Sequence, residues 1–235
     1  MPDPAAEARA EVEGLLKAAW NRAVRSGKLP DDAVLSGETV LCTNPEFGDF
    51  AAKHAIFSAG SAHMTPEELS RLLLPFLDLS GSSFSRAEAA KFGFLNFRLS
   101  DEWYLRVLEQ MAQSSPHFGR MLVAEPVTAP PPDSADPYYE AEYTLRRIES
   151  LLPRYSPEGP VPPPEGEIRR ALIRSLAFFP QAKGPEYLRT LARMFHEYYH
   201  RMPLHRTGAQ LPLDYQIYQR TAEVLKTALG RSEVF

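Results

Sequence analysis

Residues 126–137 read PVTAPPPDSADP, and this stretch divides the chain. Five prolines in twelve residues remove backbone donors and fix φ, so neither a helix nor a central strand can run through it. The run predicts a linker between two modules, with boundaries at 1–125, 126–137 and 138–235.

In front of the linker the pattern is mixed. AEARAEVEGLLKAAWNRAVRSGK places apolar residues at helical spacing. ETVLCT is a strand candidate, and FAAKHAIFSAG is expected to be a helix. TPEELSRLLLPFLDL opens with Thr65 as N-cap and Pro66 at the first helical position. SRAEAAKF is expected as a short helix, GFLNFRL alternates as a strand does, and DEWYLRVLEQMAQ forms a helix capped by Ser100. The front module is therefore α+β.

Behind the linker no strand pattern occurs. YYEAEYTLRRIESLLPR, EGEIRRALIRSLAFFP, GPEYLRTLARMFHEYYHRM and LPLDYQIYQRTAEVLKTALG each repeat apolar residues at i, i+3, i+4 and i+7, which predicts a helical bundle. The 235 residues carry a net charge of −4, unevenly distributed. Residues 1–126 hold 12 Lys+Arg against 17 Asp+Glu, whereas residues 138–235 hold 14 against 11. A polyanionic partner would meet chiefly the second module. One cysteine, Cys42, excludes an internal disulfide. No run approaches the roughly 20 apolar residues of a membrane span, and the N-terminus lacks the pattern of a signal peptide. A cytoplasmic protein is expected.

The third helical segment contains HEYYH at 196–200, the spelling of a zinc-peptidase helix. A metzincin needs Gly and His further on, where this chain has Pro203 and Arg206; a gluzincin needs a later glutamate, for which Glu223 is the candidate. The surrounding LxxLAxxF pattern instead gives the helix an apolar face, with the histidines at its border. The reading is therefore no metal, no catalytic set and no cofactor.

Several segments resemble arginyl-tRNA synthetases. NPEFGDFAAKHAI follows the N-P-x-F-G-D stretch of that family's N-terminal additional domain, and KFGFLNFRLSDEWYLRVLEQM its G-F-[IL]-N-[FL]-x-L segment and next helix. DPYYEAEYTLRRIES resembles the segment that enters the family's DALR-type anticodon-binding bundle. LRTLARMFHEYYHRMPL and QLPLDYQIYQRTAEVLKTALG resemble later helices of that bundle. The H-[IV]-G-H and K-M-S-K-like motifs of the catalytic domain are absent between them, and VAEPVTAPPP passes directly to DPYYEAEY. The resemblance implies an α+β domain joined by a Pro-rich linker to an all-α bundle, without the domain that activates amino acids.

By the same resemblance, the chain is a non-catalytic paralogue that binds tRNA, most readily an arginine-type tRNA, and delivers it or regulates its use. Phe94 and Asn96, with Lys91 beside them, occupy the pattern that reads a D-loop base. Arg147, Arg193, His196, Tyr199, Arg201, Arg220 and the terminal Phe235 are candidates for the anticodon arm. Aromatic faces stack on unpaired bases, amides read their edges and arginines hold phosphates. The alternative is a protein-interaction module that has lost RNA binding, with a protein partner covering the faces left by the missing domain.

Overall fold

The computed structural model describes residues 3–42, 44–113, 136–154, 159–179, 184–202 and 210–230. The chain divides into two compact units, Met1–Trp103 and Tyr104–Phe235. The first is a small antiparallel sheet with helices and the second is helical, an α+β domain followed by a bundle. Of the linker, Asp136 and Pro137 alone fall within the described residues.

Helix α1 (Pro4–Arg25) starts where Asp3 accepts hydrogen bonds from the amides of Ala5 and Ala6, and it buries Val12, Leu16, Ala19, Trp20 and Ala23 along one face. Four strands follow, β1 (Thr39–Leu41), β2 (Phe50–Ala52), β3 (Phe84–Ala89) and β4 (Leu95–Leu99), ordered β1-β2-β4-β3 and antiparallel throughout. Leu95, Phe97 and Leu99 of β4 point to the core with Phe50 and Phe84, whose rings meet edge to face. Between the strands lie α2 (His54–Ser58) and α3 (Pro66–Leu73). The Thr65 hydroxyl accepts from the Glu68 amide while the Glu68 carboxylate accepts from the Thr65 amide, a reciprocal cap.

Two of the expected helices are strands. Phe50–Ala52 pairs with β1 on one side and β4 on the other, so FAAKHAIFSAG is helical at His54–Ser58 alone. SRAEAAKF supplies β3, which pairs with β4 through a bulge between Phe84 and Arg86. Alanine-rich stretches favour helix locally, but the ladder hydrogen bonds and the burial of Phe50 and Phe84 outweigh a propensity of a few tenths of a kcal/mol per residue, on the order of 0.5.

The GD of NPEFGDF has a structural task. Gly48 adopts φ 111°, and a Cβ there would sit 2.8 Å from the Phe97 carbonyl oxygen. That approach lets the buried Asp49 carboxylate accept from the Leu99 amide at 2.7 Å, while the Asp49 amide donates to the Phe97 carbonyl at 2.8 Å.

Helix α4 (Asp101–Gln113) is capped by the Ser100 hydroxyl, which accepts from the Trp103 amide. A module boundary at 125 puts all of α4 in front, whereas from Tyr104 onward it belongs to the second unit. There Arg174 donates to the Tyr104 hydroxyl at 3.4 Å and the Arg170 guanidinium lies over the Tyr104 ring.

The bundle helices are α5 (Pro137–Leu151), α6 (Glu167–Ala177), α7 (Pro185–Arg201) and α8 (Leu211–Ala228). Leu145, Ile148, Leu172, Leu176, Leu188, Leu191, Phe195, Ile217 and Leu225 form their core. Inside it lies a polar knot. Arg169 donates from Nε and Nη2 to the two oxygens of Asp214 at 2.7 and 3.0 Å, and the Tyr198 hydroxyl donates to Asp214 Oδ1 at 2.6 Å. Arg169 also donates to the Glu165 carbonyl at 2.9 Å, so the buried charge pair is hydrogen-bonded on several sides. No described helix is long and apolar enough to cross a membrane.

Candidate functional site

In the first unit the candidate residues gather at the entry to β4. Ala90 donates its amide to the Phe94 carbonyl at 2.8 Å and closes a tight loop over Lys91–Gly93. Gly93 has φ 84°, and a Cβ there would meet Pro66 Cβ at 2.4 Å. Phe92 is held at φ 62°, a strained value for a bulky residue, with 70% of its surface exposed. Lys91 is exposed and Phe94 half-buried. Phe94 and Asn96 stand two residues apart on one side of the strand, opposite the core-facing Leu95 and Phe97. Asn96 lies between Ala51 of β2 and Glu88 of β3, is 6% exposed, and its side-chain amide forms no hydrogen bond among the described residues. Arg98, next on that face, donates to the Glu46 carbonyl and ties down the turn that carries the exposed Phe47.

In the second unit, α5 and α7 pack side by side and run in the same direction, since Tyr143 meets His196 and Arg147 meets Tyr199. Arg147 donates to the Tyr199 hydroxyl at 2.6 Å with its guanidinium 5.3 Å from the ring centre. Tyr143 stacks on His196 at 5.8 Å. The Thr144 hydroxyl donates to the Glu140 carbonyl at 2.7 Å and accepts from His196 Nε2 at 3.1 Å, which puts the imidazole proton on Nε2. Burial, reinforced by the nearby His200, holds the His196 imidazole below its ordinary pKa against the opposing pull of Glu140. Tyr139, Glu140 and Tyr143 from α5 and Arg193 and His196 from α7 line a cavity of about 340 Å³.

Residues 10–99 match the family described as "Arginyl tRNA synthetase N terminal domain". Residues 10–99 thus resemble the N-terminal domain of arginyl-tRNA synthetases. Curated arginine–tRNA ligases align with the chain over similar lengths. That of Acetivibrio thermocellus is 26% identical over 111 residues, 47% of this chain and 20% of the relative. That of Chlorobium phaeobacteroides is 34% identical over 83 residues, 35% of this chain and 15% of the relative. That of Magnetococcus marinus is 31% identical over 113 residues, 48% of this chain and 20% of the relative. The alignments span a fifth or less of these ligases.

Within this matched segment, the expected Phe94, Asn96 and Lys91 fall together. In the bundle, Arg147, Arg193, His196 and Tyr199 fall together on the α5–α7 face. Arg201 is exposed and ion-pairs with Glu197 at 2.8 Å. Arg220 is 8% exposed and pairs with Glu223 at 2.5 Å. Phe235 lies outside the described residues. The same ion pair takes Glu223, the glutamate spaced to complete a gluzincin set with HEYYH. Sequence reasoning gave no role to the exposed Phe47 and Phe92 or to the cavity-lining Tyr139 and Tyr143. The aromatic-rich DPYYEAEY was a signal for the cavity, but sequence alone could not show that these tyrosines face α7.

Proposed function

We propose that the chain is a non-catalytic relative of arginyl-tRNA synthetases that binds tRNA in the cytoplasm, reading the D-loop corner with the first domain and the anticodon arm with the bundle. The second part rests on resemblance to a DALR-type anticodon-binding domain. The observation that carries the reading is the Phe94–Asn96 pair on the outer face of a synthetase N-terminal domain. A half-buried ring stands beside an amide that no described neighbour satisfies, a pairing suited to one unpaired base. The sequence contains no H-[IV]-G-H or K-M-S-K-like motif, which supports delivery or regulation of tRNA rather than its charging.

The test is equilibrium binding of the purified chain to an arginine-type tRNA and to an unrelated one, at low and near-physiological salt. Preference for the first that persists as salt rises supports the reading, with Phe94→Ala and Asn96→Ala each weakening binding by about tenfold. Indiscriminate binding that vanishes with salt would refute it. That outcome would favour the protein-interaction alternative, to which the exposed Phe47, Phe57 and Phe92 and the net charge of −4 lend support.

A further inference from the structure

The α5–α7 cavity holds an unsatisfied set of groups. Glu140 has one carboxylate oxygen, Oε2, buried without a hydrogen-bond partner among the described residues. An acceptor left unpaired away from water is destabilising, and more so when it carries charge. Arg193, exposed on the opposite wall, neither pairs with Glu140 nor finds another partner among the described residues. Tyr139 and Tyr143 are exposed, Tyr143 by 55%, so their rings present apolar faces to solvent. The His196 ring backs Tyr143 and is anchored through Thr144.

These groups specify a ligand. The tyrosine faces suit a flat ring. The carboxylate calls for N–H donors, and once its side chain turns to bring the buried Oε2 into the cavity, two donors side by side use both oxygens. The free guanidinium suits a phosphate. A volume of about 340 Å³ admits a single base and its sugar. Guanine presents N1–H and its 2-amino group adjacent on one edge. Adenine places a lone pair at N1, facing the carboxylate, and cytosine offers one amino donor beside a ring lone pair. We propose that this pocket reads an unpaired guanine of a bound RNA, with Glu140 on its N1–H and amino edge, Tyr139 and Tyr143 on its faces and Arg193 on an adjoining phosphate. The proposal rests on the RNA-binding reading and adds the base to it.

The full chain and its Glu140→Gln variant would be titrated with hairpin RNAs whose uridine loops carry a single guanine, inosine or adenine, scanned through the loop. At the best loop position, guanine binds about tenfold more tightly than adenine, as a bidentate base contact predicts. Inosine, lacking the amino group, falls between them. Glu140→Gln, with an unchanged circular dichroism spectrum, removes the difference. Equal binding of guanine and adenine loops at every position overturns the pocket and leaves RNA binding intact. Failure of every hairpin to bind at low salt overturns the RNA-binding reading. Guanosine and adenosine monophosphate then decide the pocket alone, followed by NMR on the His196 ring. A shift with the first nucleotide only sustains it, and equal shifts or none overturn it.

Discussion

Replacing Asp214 by Ala removes the acceptor of three hydrogen bonds, two from Arg169 and one from Tyr198. Asp214 and Arg169 are both buried, so the substitution strands a guanidinium in the bundle core with the Glu165 carbonyl as its remaining oxygen acceptor among the described residues. Breaking a buried pair from one side costs about 3–5 kcal/mol. Tyr198→Phe, which removes one hydrogen bond, should cost about 1 kcal/mol or somewhat more. The double variant Arg169→Met, Asp214→Leu removes both charges and should recover most of the loss, because apolar replacement of a whole pair is close to neutral. Urea titration can assign the effect to a unit. Both tryptophans, Trp20 and Trp103, belong to the first unit, so their fluorescence follows that unit while ellipticity at 222 nm follows the helices of both. Asp214→Ala should lower the midpoint seen by ellipticity more than the midpoint seen by fluorescence. A loss below about 1 kcal/mol, or a double variant no better than the single one, would refute the account of the knot.

Gly93→Ala should destabilise the first unit by about 2 kcal/mol or more, read from tryptophan fluorescence, because the new Cβ meets Pro66 at a positive φ. Phe92→Gly should stabilise the same unit by up to about 1 kcal/mol in urea titrations, by relieving the φ of 62°. His196 should titrate below its ordinary value of 6.5 by NMR, and Glu140→Gln should lower it further by removing the group that opposes the shift. Because its folded-state pKa is depressed, the unfolded chain binds the proton first; stability is complete above the ordinary value and declines as pH falls through the folded value. Tyr187 and Tyr198 are raised above the ordinary phenol value of 10.0, chiefly by burial, so the unfolded chain loses these protons first. Stability should therefore fall as pH rises above about 10, with both phenols ionising only on unfolding in ultraviolet titration.

The amphipathic helices of the bundle were legible because their period is local: Leu188, Leu191, Phe195 and Tyr198 lie on one buried face as their spacing requires. Thr65–Pro66 and Ser100 announced helix starts by chemistry that needs no tertiary partner. Phe50–Ala52 and Phe84–Ala89 were opaque for the opposite reason. Their strands exist through pairing with β4, which is supplied from elsewhere in the chain. Side-chain roles divided in the same way. Phe94 and Asn96 are near neighbours whose shared side follows from strand alternation. Arg220 looked like a surface cation because nothing in the sequence shows which side of α8 turns inward. The Glu140–Arg193 cavity needs two helices in register, and no single segment encodes it.

The Tyr198 hydroxyl, bound to Asp214, also sets the phase of α7. With that residue pinned inward, rotation about the helix axis is arrested, and position 196 is delivered to Thr144 while 193 meets the cavity. Positions 193, 196 and 200 thus form a stripe held in place from behind, whose chemistry can be exchanged without disturbing the helix that presents it. Substitutions along that stripe would change the chemistry the helix offers to solvent while the Tyr198–Asp214 anchor stays in place.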